Sequence, residues 1–234
     1  MKFADLLQFF AFGFASLFPM ANPFSSIPML LNLTERMTEA ERAHQGLKAA
    51  VNATIIMLVT LLVGSLILQF FQISMEALQT AGGLIVAYLG FRMLFPPESG
   101  PKGFIATAGS PDFSLIPLAM PGMAGPGTMA VLMSFSVRLR ELSDWSERLW
   151  GMFTMILVIL VVGAFAALML RASVKISRVL GQAGIDAMGR IMGLLLVCIG
   201  IQILSTGIQG FVDIAHQKQG TGIAEEATPG VNGI

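Results

Sequence analysis

Apolar and polar positions alternate along this chain in long blocks. Apolar runs cover roughly 5–33, 49–71, 76–95, 113–137, 149–170 and 185–211. Each is long enough to cross a bilayer as a helix, which needs about 20 residues at 1.5 Å each. The polar stretch Thr34–Lys48 holds Thr38-Glu39-Ala40-Glu41-Arg42, which reads as the start of a helix feeding the second run. Gln72-Ile-Ser-Met75 is a tight connection, and the third run stops at Pro96-Pro97. Arg171–Arg178 reads as a basic linker before the sixth run. The pattern predicts an all-α polytopic membrane protein with six transmembrane helices.

Two runs carry an interruption. Pro19, Pro23 and Pro28 fall inside the first, and Pro117, Pro121 and Pro126 recur 98 positions later in the fourth. A proline lacks an amide proton and its ring clashes with the preceding turn. Three in ten residues should therefore stop a regular helix, so breaks are expected within about 19–28 and 117–127, facing each other. The two runs differ in one respect. Asp5–Phe18 precede the first break, whereas only Phe113–Ile116 separate Asp112 from Pro117. Either the apolar Gly103–Gly109 stretch enters the membrane, or the second half-helix starts deeper.

A second repeat links the third and sixth runs at offset 110. Glu76-Ala77 matches Asp186-Ala187, Gly83-Leu84 matches Gly193-Leu194, Gly90 matches Gly200, and Leu94 matches Leu204. Two regions agreeing in order argue for a duplicated three-helix unit. An odd number of spans per unit inverts the copies. The expected domains are a first repeat at 1–97, a loop at 98–112, an inverted second repeat at 113–213, and a disordered polar tail at 214–234.

Composition sharpens this picture. The chain is 55% hydrophobic and 12% charged with mean hydropathy +0.77, whereas a soluble domain carries about a quarter charged residues. The formal net charge is zero, so nucleic acid is not an expected partner. Cys198 is the only cysteine, which excludes an internal disulfide; it reads as a small packing residue. No metal ligand set or cofactor motif is present. His44 and His216 lie outside the spans and no His-Glu-x-x-His occurs, so an enzyme is not expected. Nine Lys and Arg fall in loops 1–2, 3–4 and 5–6 against five on the other side, which predicts both termini outside the cytoplasm.

The candidate chemistry sits at the breaks. A half-helix start offers amide protons to an anion, and a half-helix end offers carbonyls to a cation. A zwitterion needs both. Asn22, Pro23, Ser25 and Ser26 on one break, with Met120, Gly122, Gly125, Pro126, Gly127 and Thr128 on the other, are the candidate substrate-binding residues. Glycines let a ligand reach the backbone, while Asn, Ser and Thr supply donors and acceptors. Met20, Met29, Met120 and Met123 would form an adaptable apolar wall. Gly82, Gly83, Gly90, Gly193 and Gly200 read as helix-packing contacts. Glu76 and Asp186, at helix starts, are dipole-stabilising groups or candidate coupling residues. Asn52 and Thr54 face either a cavity or a neighbouring helix.

These residues resemble the MarC family of six-span bacterial and archaeal inner-membrane proteins. The resemblance covers about 1–212. It rests on Asn-Pro-x-Ser-x-x-Pro at 22–28, Ala-Gly-Gly at 81–83, Pro-Leu-Ala-Met-Pro and Ala-Gly-Pro-Gly-Thr within 117–128, and Arg190-Ile-Met-Gly-Leu194. It implies an inner-membrane location, discontinuous first and fourth spans, and a secondary carrier of a small neutral solute, glycine or alanine above all. The implied partners are that solute, membrane lipid, a coupling proton or sodium ion, and a second copy of the chain. The family usually shows Asp-Pro where this chain has Asn22-Pro23, so a carboxylate there is an amide here. A channel or a non-transporting regulatory membrane protein is the alternative reading.

Overall fold

A computed structural model describes residues 3–34, 36–95 and 112–226. Its elements are α1 Phe3–Ala21, α2 Pro23–Leu33, α3 Glu39–Phe70, α4 Met75–Leu94, a π-helical segment Ser114–Met123, α5 Pro126–Glu141, α6 Trp145–Arg171 and α7 Ser173–Glu226. There is no strand among the described residues. Among the described residues, four segments are long and apolar enough to cross a membrane: Glu39–Phe70, Met75–Leu94, Trp145–Arg171 and Asp186–His216. Asp5–Ala21 is apolar but shorter.

Local chemistry sets the helix starts. Thr38 Oγ1 accepts from the Glu41 amide at 3.3 Å, and the Glu41 carboxylate accepts from the Thr38 amide at 2.8 Å, a reciprocal cap on α3. The Thr38 amide, together with the Thr38 hydroxyl, which also donates to the Glu41 carboxylate at 2.8 Å, holds the Glu41 carboxyl below its ordinary range. Ser74 caps α4 and Asp144 caps α6. α3 packs on α6, α5 and the π segment; α1 and α2 pack on α6; α4 packs on α7. Leu17, Ile27, Leu61, Leu118, Met155 and Ile159 are fully buried where these elements meet. The outer faces carry exposed Val59, Leu62, Leu66, Leu157, Leu160 and Leu194, the apolar exterior a lipid-facing bundle requires.

The α4–α7 contact is antiparallel and built on glycine. A Cβ on Gly83 would lie 2.6 Å from the Gly200 carbonyl oxygen, and one on Gly90 would lie 2.6 Å from that of Gly193. The reverse holds at Gly200 and Gly193, at 2.8 and 2.9 Å. Any side chain there would force the backbones apart, so these glycines are packing contacts, as is Gly82 against Ala130. The offset of 110 carries Gly83 onto Gly193 and Gly90 onto Gly200, so each contact is the image of the other.

Three expectations change. The stretch Arg171–Arg178 is no linker, because α7 is helical from Ser173. It holds neither glycine nor proline before Gly181, where the helix bends at φ 64°, ψ 174°. α7 then continues to Glu226, through the first part of 214–234. Propagating a formed helix needs only one bond per residue, and no proline occurs before 229. Cys198 is exposed rather than packed. Most of 98–112, including Gly103–Gly109, lies outside the described residues.

Candidate functional site

The first break is a single residue. Asn22 lies between α1 and α2 with φ 36°, and its amide still donates to the Phe18 carbonyl at 3.1 Å. Asparagine tolerates this left-handed conformation better than most side chains. Pro23 then opens α2, where a missing amide proton costs nothing. The expectation that Pro19 and Pro28 also stop the helix is not met. Pro19 lies inside α1, and α2 runs through position 28. Each proline deletes only its own hydrogen bond, and the turns on either side keep theirs.

The second break is longer. Ile116 (φ −124°, ψ 124°) and Met120 (φ −125°, ψ 122°) are extended inside the π segment, and Gly125 (φ −82°, ψ 176°) is extended before α5. Each immediately precedes a proline, whose ring disfavours the helical conformation in the residue before it. The backbone recovers part of its bonding through i+5 contacts, Leu118 to Phe113 at 3.3 Å and Ala124 to Ala119 at 2.8 Å. Thr128 Oγ1 donates to the Met123 carbonyl at 2.9 Å.

The start of this second segment is tied to α3. Lys48 pairs with Asp112, which also accepts from the Ser114 amide at 3.0 Å, and Asn52 donates to Ser114 Oγ at 3.2 Å. Lys48 and Asn52 stand one turn apart on α3. The Lys48 ammonium, helped by Ser114, lowers the Asp112 carboxyl to about 2. Asn52 thus makes an interhelical contact, and Thr54 donates back to the Ala50 carbonyl at 2.8 Å.

Of the candidate residues, Asn22 (3% exposed), Pro23 and Ser26 (1%) are buried at the first break, and Gly125, Gly127 and Thr128 at the second. Ser26 Oγ has no hydrogen-bond partner among the described residues. Asn22 Nδ2 lies 3.2 Å from Met93 Sδ on α4. Gly122 is half-buried, while Met120 and Pro126 are exposed. The Ser25 side chain is outside the described set. The breaks meet where a Cβ on Gly127 would lie 3.7 Å from Met20 Sδ, with Val86 beside it; α2 also packs on the π segment. Met20 and Met123 are buried and Met29 half-buried. Glu76, on the first turn of α4, rests against Gly210; Asp186 is exposed on α7, five residues past the Gly181 bend.

A cavity of about 310 Å³ opens among α1, α4, α5 and α7. α5 lines it with Gly127, Ala130, Val131, Ser134, Phe135 and Arg138, one helical face. Gln79 and Gln202 face it from α4 and α7, and Ser16 from α1. Gly127 is the only candidate residue it includes; neither Glu76 nor Asp186 lines it. Ser134 and Arg138, one turn apart on α5, were the available signal in the chain. A further match also emerges. Arg42 donates to the Thr34 carbonyl and Arg148 to that of Arg140, both at 2.8 Å and both eight residues back. Thr38 and Asp144 cap the helices that carry these arginines, again 106 residues apart.

An all-helical bundle with membrane-length apolar helices, an apolar exterior and two helix interruptions meeting inside defines an integral membrane protein. The family described as "MarC family integral membrane protein" matches residues 7–212, and the chain belongs to it. The inner membrane protein MarC of Escherichia coli O1:K1 is 38% identical over 221 residues, 91% of this chain and 99% of that protein. Its counterparts in Escherichia coli K12 and Shigella flexneri show the same identity and coverage. The relatives' names place them in the inner membrane, and this chain with them. No solved structure matches.

Proposed function

We propose that this protein is a secondary carrier of a small neutral solute, most plausibly a small amino acid such as glycine or alanine, working by alternating access at the two helix breaks. The observation that carries the reading is Ser26. Its hydroxyl is 1% exposed, has no partner among the described residues, and stands one turn into the helix that starts at the Asn22 break. A buried hydroxyl without a partner costs about 1–3 kcal/mol, and a bound polar solute would remove that cost. The amides opening α2 favour a carboxylate at the same place.

In this reading α1–α2, α3 and α4 form one three-helix unit and the π segment–α5, α6 and α7 its inverted copy, giving six spans with both termini on the non-cytoplasmic side. Four correspondences support it: the proline spacing, the reciprocal glycine contacts, the paired N-caps and the two arginine-to-carbonyl bonds. A proton or sodium ion would couple transport, with Glu76 and Asp186 as the ionisable groups available.

The test is uptake and counterflow of glycine, alanine and larger neutral amino acids in proteoliposomes, with and without proton or sodium gradients. Saturable counterflow of a small amino acid is expected. Flux without counterflow would make the protein a channel, and no flux of any solute would leave a non-transporting membrane protein.

A further inference from the structure

The cavity among α1, α4, α5 and α7 is separate from the candidate residues at the breaks, apart from Gly127. It runs along one face of α5 from Gly127 to Arg138, eleven residues or about 16 Å. Its inner end, at Gly127, touches Met20, two residues before Asn22. Its outer end holds Arg138, an exposed cation on the last turn of α5. Arg138 makes no ion pair among the described residues, although Lys48 and Arg178 do. Gln79 and Gln202 face the space from the neighbouring helices α4 and α7, each able to donate and accept. A volume of about 310 Å³ lies at the small end of ligand sites, which start near 300 Å³.

The opposite side of the breaks is built differently. Ile203 lines the cavity, and its counterpart at offset 110 is Met93. Met93 does not line this cavity; its sulfur sits on the Asn22 amide. The cavity thus reaches the second break along the α5 face, at Gly127, while Met93 lies against Asn22.

We propose that this cavity is an outer waiting site for the solute, and that Arg138 captures a carboxylate there before the solute moves inward past Gly127. The inference rests on the carrier reading for its direction of travel, but the site itself does not. A guanidinium pairs with a carboxylate through two parallel hydrogen bonds. The glutamine amides then guide the polar remainder, and Phe12, Val131 and Phe135 leave room only for a short apolar part. The class of ligand is a small water-soluble monocarboxylate.

The experiment uses the full chain in nanodiscs, with Cys198→Ser removing the native thiol and Ser134→Cys placing one in the cavity. Modification rates, each divided by the same reagent's rate with a free small thiol, are compared for an anionic (sulfonatoethyl) and a cationic (trimethylammonium-ethyl) methanethiosulfonate. The anionic reagent should react about 10-fold faster, because a cation at the mouth concentrates anions. Arg138→Gln should bring the ratio to near one, and so should high salt. Thr206→Cys on the facing wall should behave as Ser134→Cys does, which guards against misfolding of one variant. Equal rates for the two reagents, or no reaction at either position in folded protein, would overturn the site. Uptake separates this inference from the carrier reading. Wild-type protein that moves no amino acid sinks the carrier while the labelling still decides the site. Normal alanine uptake with an unchanged KM in Arg138→Gln leaves the carrier and removes Arg138 from the route.

Discussion

The two interruptions have the same proline spacing and different backbones. At Pro19, Pro23 and Pro28 only Asn22 leaves the helix; at Pro117, Pro121 and Pro126 every preceding residue does. Proline position therefore allows a break but does not set its length. What differs is the hydrogen bonding on either side. α1 enters its break after about five turns that lack only the bond Pro19 cannot donate, and Asn22 closes it with an ordinary bond to Phe18. The second segment has no such lead-in. It begins at Ser114, directly behind the tether of Asp112 to Lys48, and spends its bonds in i+5 pairs. One break is a hinge between two helices, and the other is a loosely wound ribbon.

The largest effect should come from Asn22, because the whole first break rests on one left-handed residue. A β-branched side chain is poorly tolerated at φ 36° and should cost about 1–3 kcal/mol. Asn22→Val should therefore lose folded protein in a thermal or denaturant assay, whereas Asn22→Gly keeps the backbone and should fold. If the amide serves the solute, Asn22→Gly still lowers uptake by roughly 10-fold, since one polar contact is worth about 1.4 kcal/mol. Asn22→Asp should make that uptake depend on pH or on a cation. Equal stability of the Val and Gly variants would show that the left-handed turn is not what makes the hinge.

A smaller effect separates the two buried hydroxyls. Thr128 Oγ1 is engaged with the Met123 carbonyl, and Ser26 Oγ is not engaged. Thr128→Ala should cost about 1 kcal/mol of stability and loosen the ribbon. Ser26→Ala loses no bond in the folded protein, so its stability should hold or rise slightly while uptake falls. Stability losses of the same size in both variants would mean that Ser26 has a structural partner, and the main support for a solute at the hinge would go.

Much of this was legible from residue order. The apolar blocks gave the helices, and the two proline triplets marked the regions where the backbone leaves the helix, though not the extended residues Ile116, Met120 and Gly125 themselves. Pro19 was misjudged because a proline's local cost is one bond, and neighbouring turns decide whether a helix absorbs it. The π segment was hidden because its tether joins Lys48 and Asn52 to residues more than 60 positions away, and such pairings leave no periodic trace. The cavity was hidden for a related reason. Ser134 and Arg138 form a polar stripe only when α4 and α7 bring Gln79 and Gln202 to the same face. The match of Arg42 to Arg148 was visible but looked like loop charge until their carbonyl partners eight residues back appeared.

The smallest effect should be the response of the ribbon to acid. Asp112 has its carboxyl lowered from 3.8 to about 2, chiefly by Lys48. A lowered value means that the folded state holds fewer protons than the unfolded one. The contribution is therefore complete above about pH 4 and fades as pH falls toward 2. The side chains of Lys48 and Asp112 are 49% and 39% exposed, so water screens the pair and its net worth is about 0.5 kcal/mol, well below the unscreened linkage value. The hinge is closed by backbone bonds and has no share in this titration. Hydrogen exchange, corrected for its intrinsic pH dependence, can compare the Ser114 amide, which donates to Asp112, with the Asn22 amide, which donates to Phe18. Between pH 5 and pH 2.5 protection at Ser114 should fall about 2-fold, while protection at Asn22 stays level. Asp112→Asn should start with the lower protection and show no further loss. An equal fall at both amides would mean that acid loosens the bundle as a whole. The two breaks would then be held by the same forces, despite their different backbones.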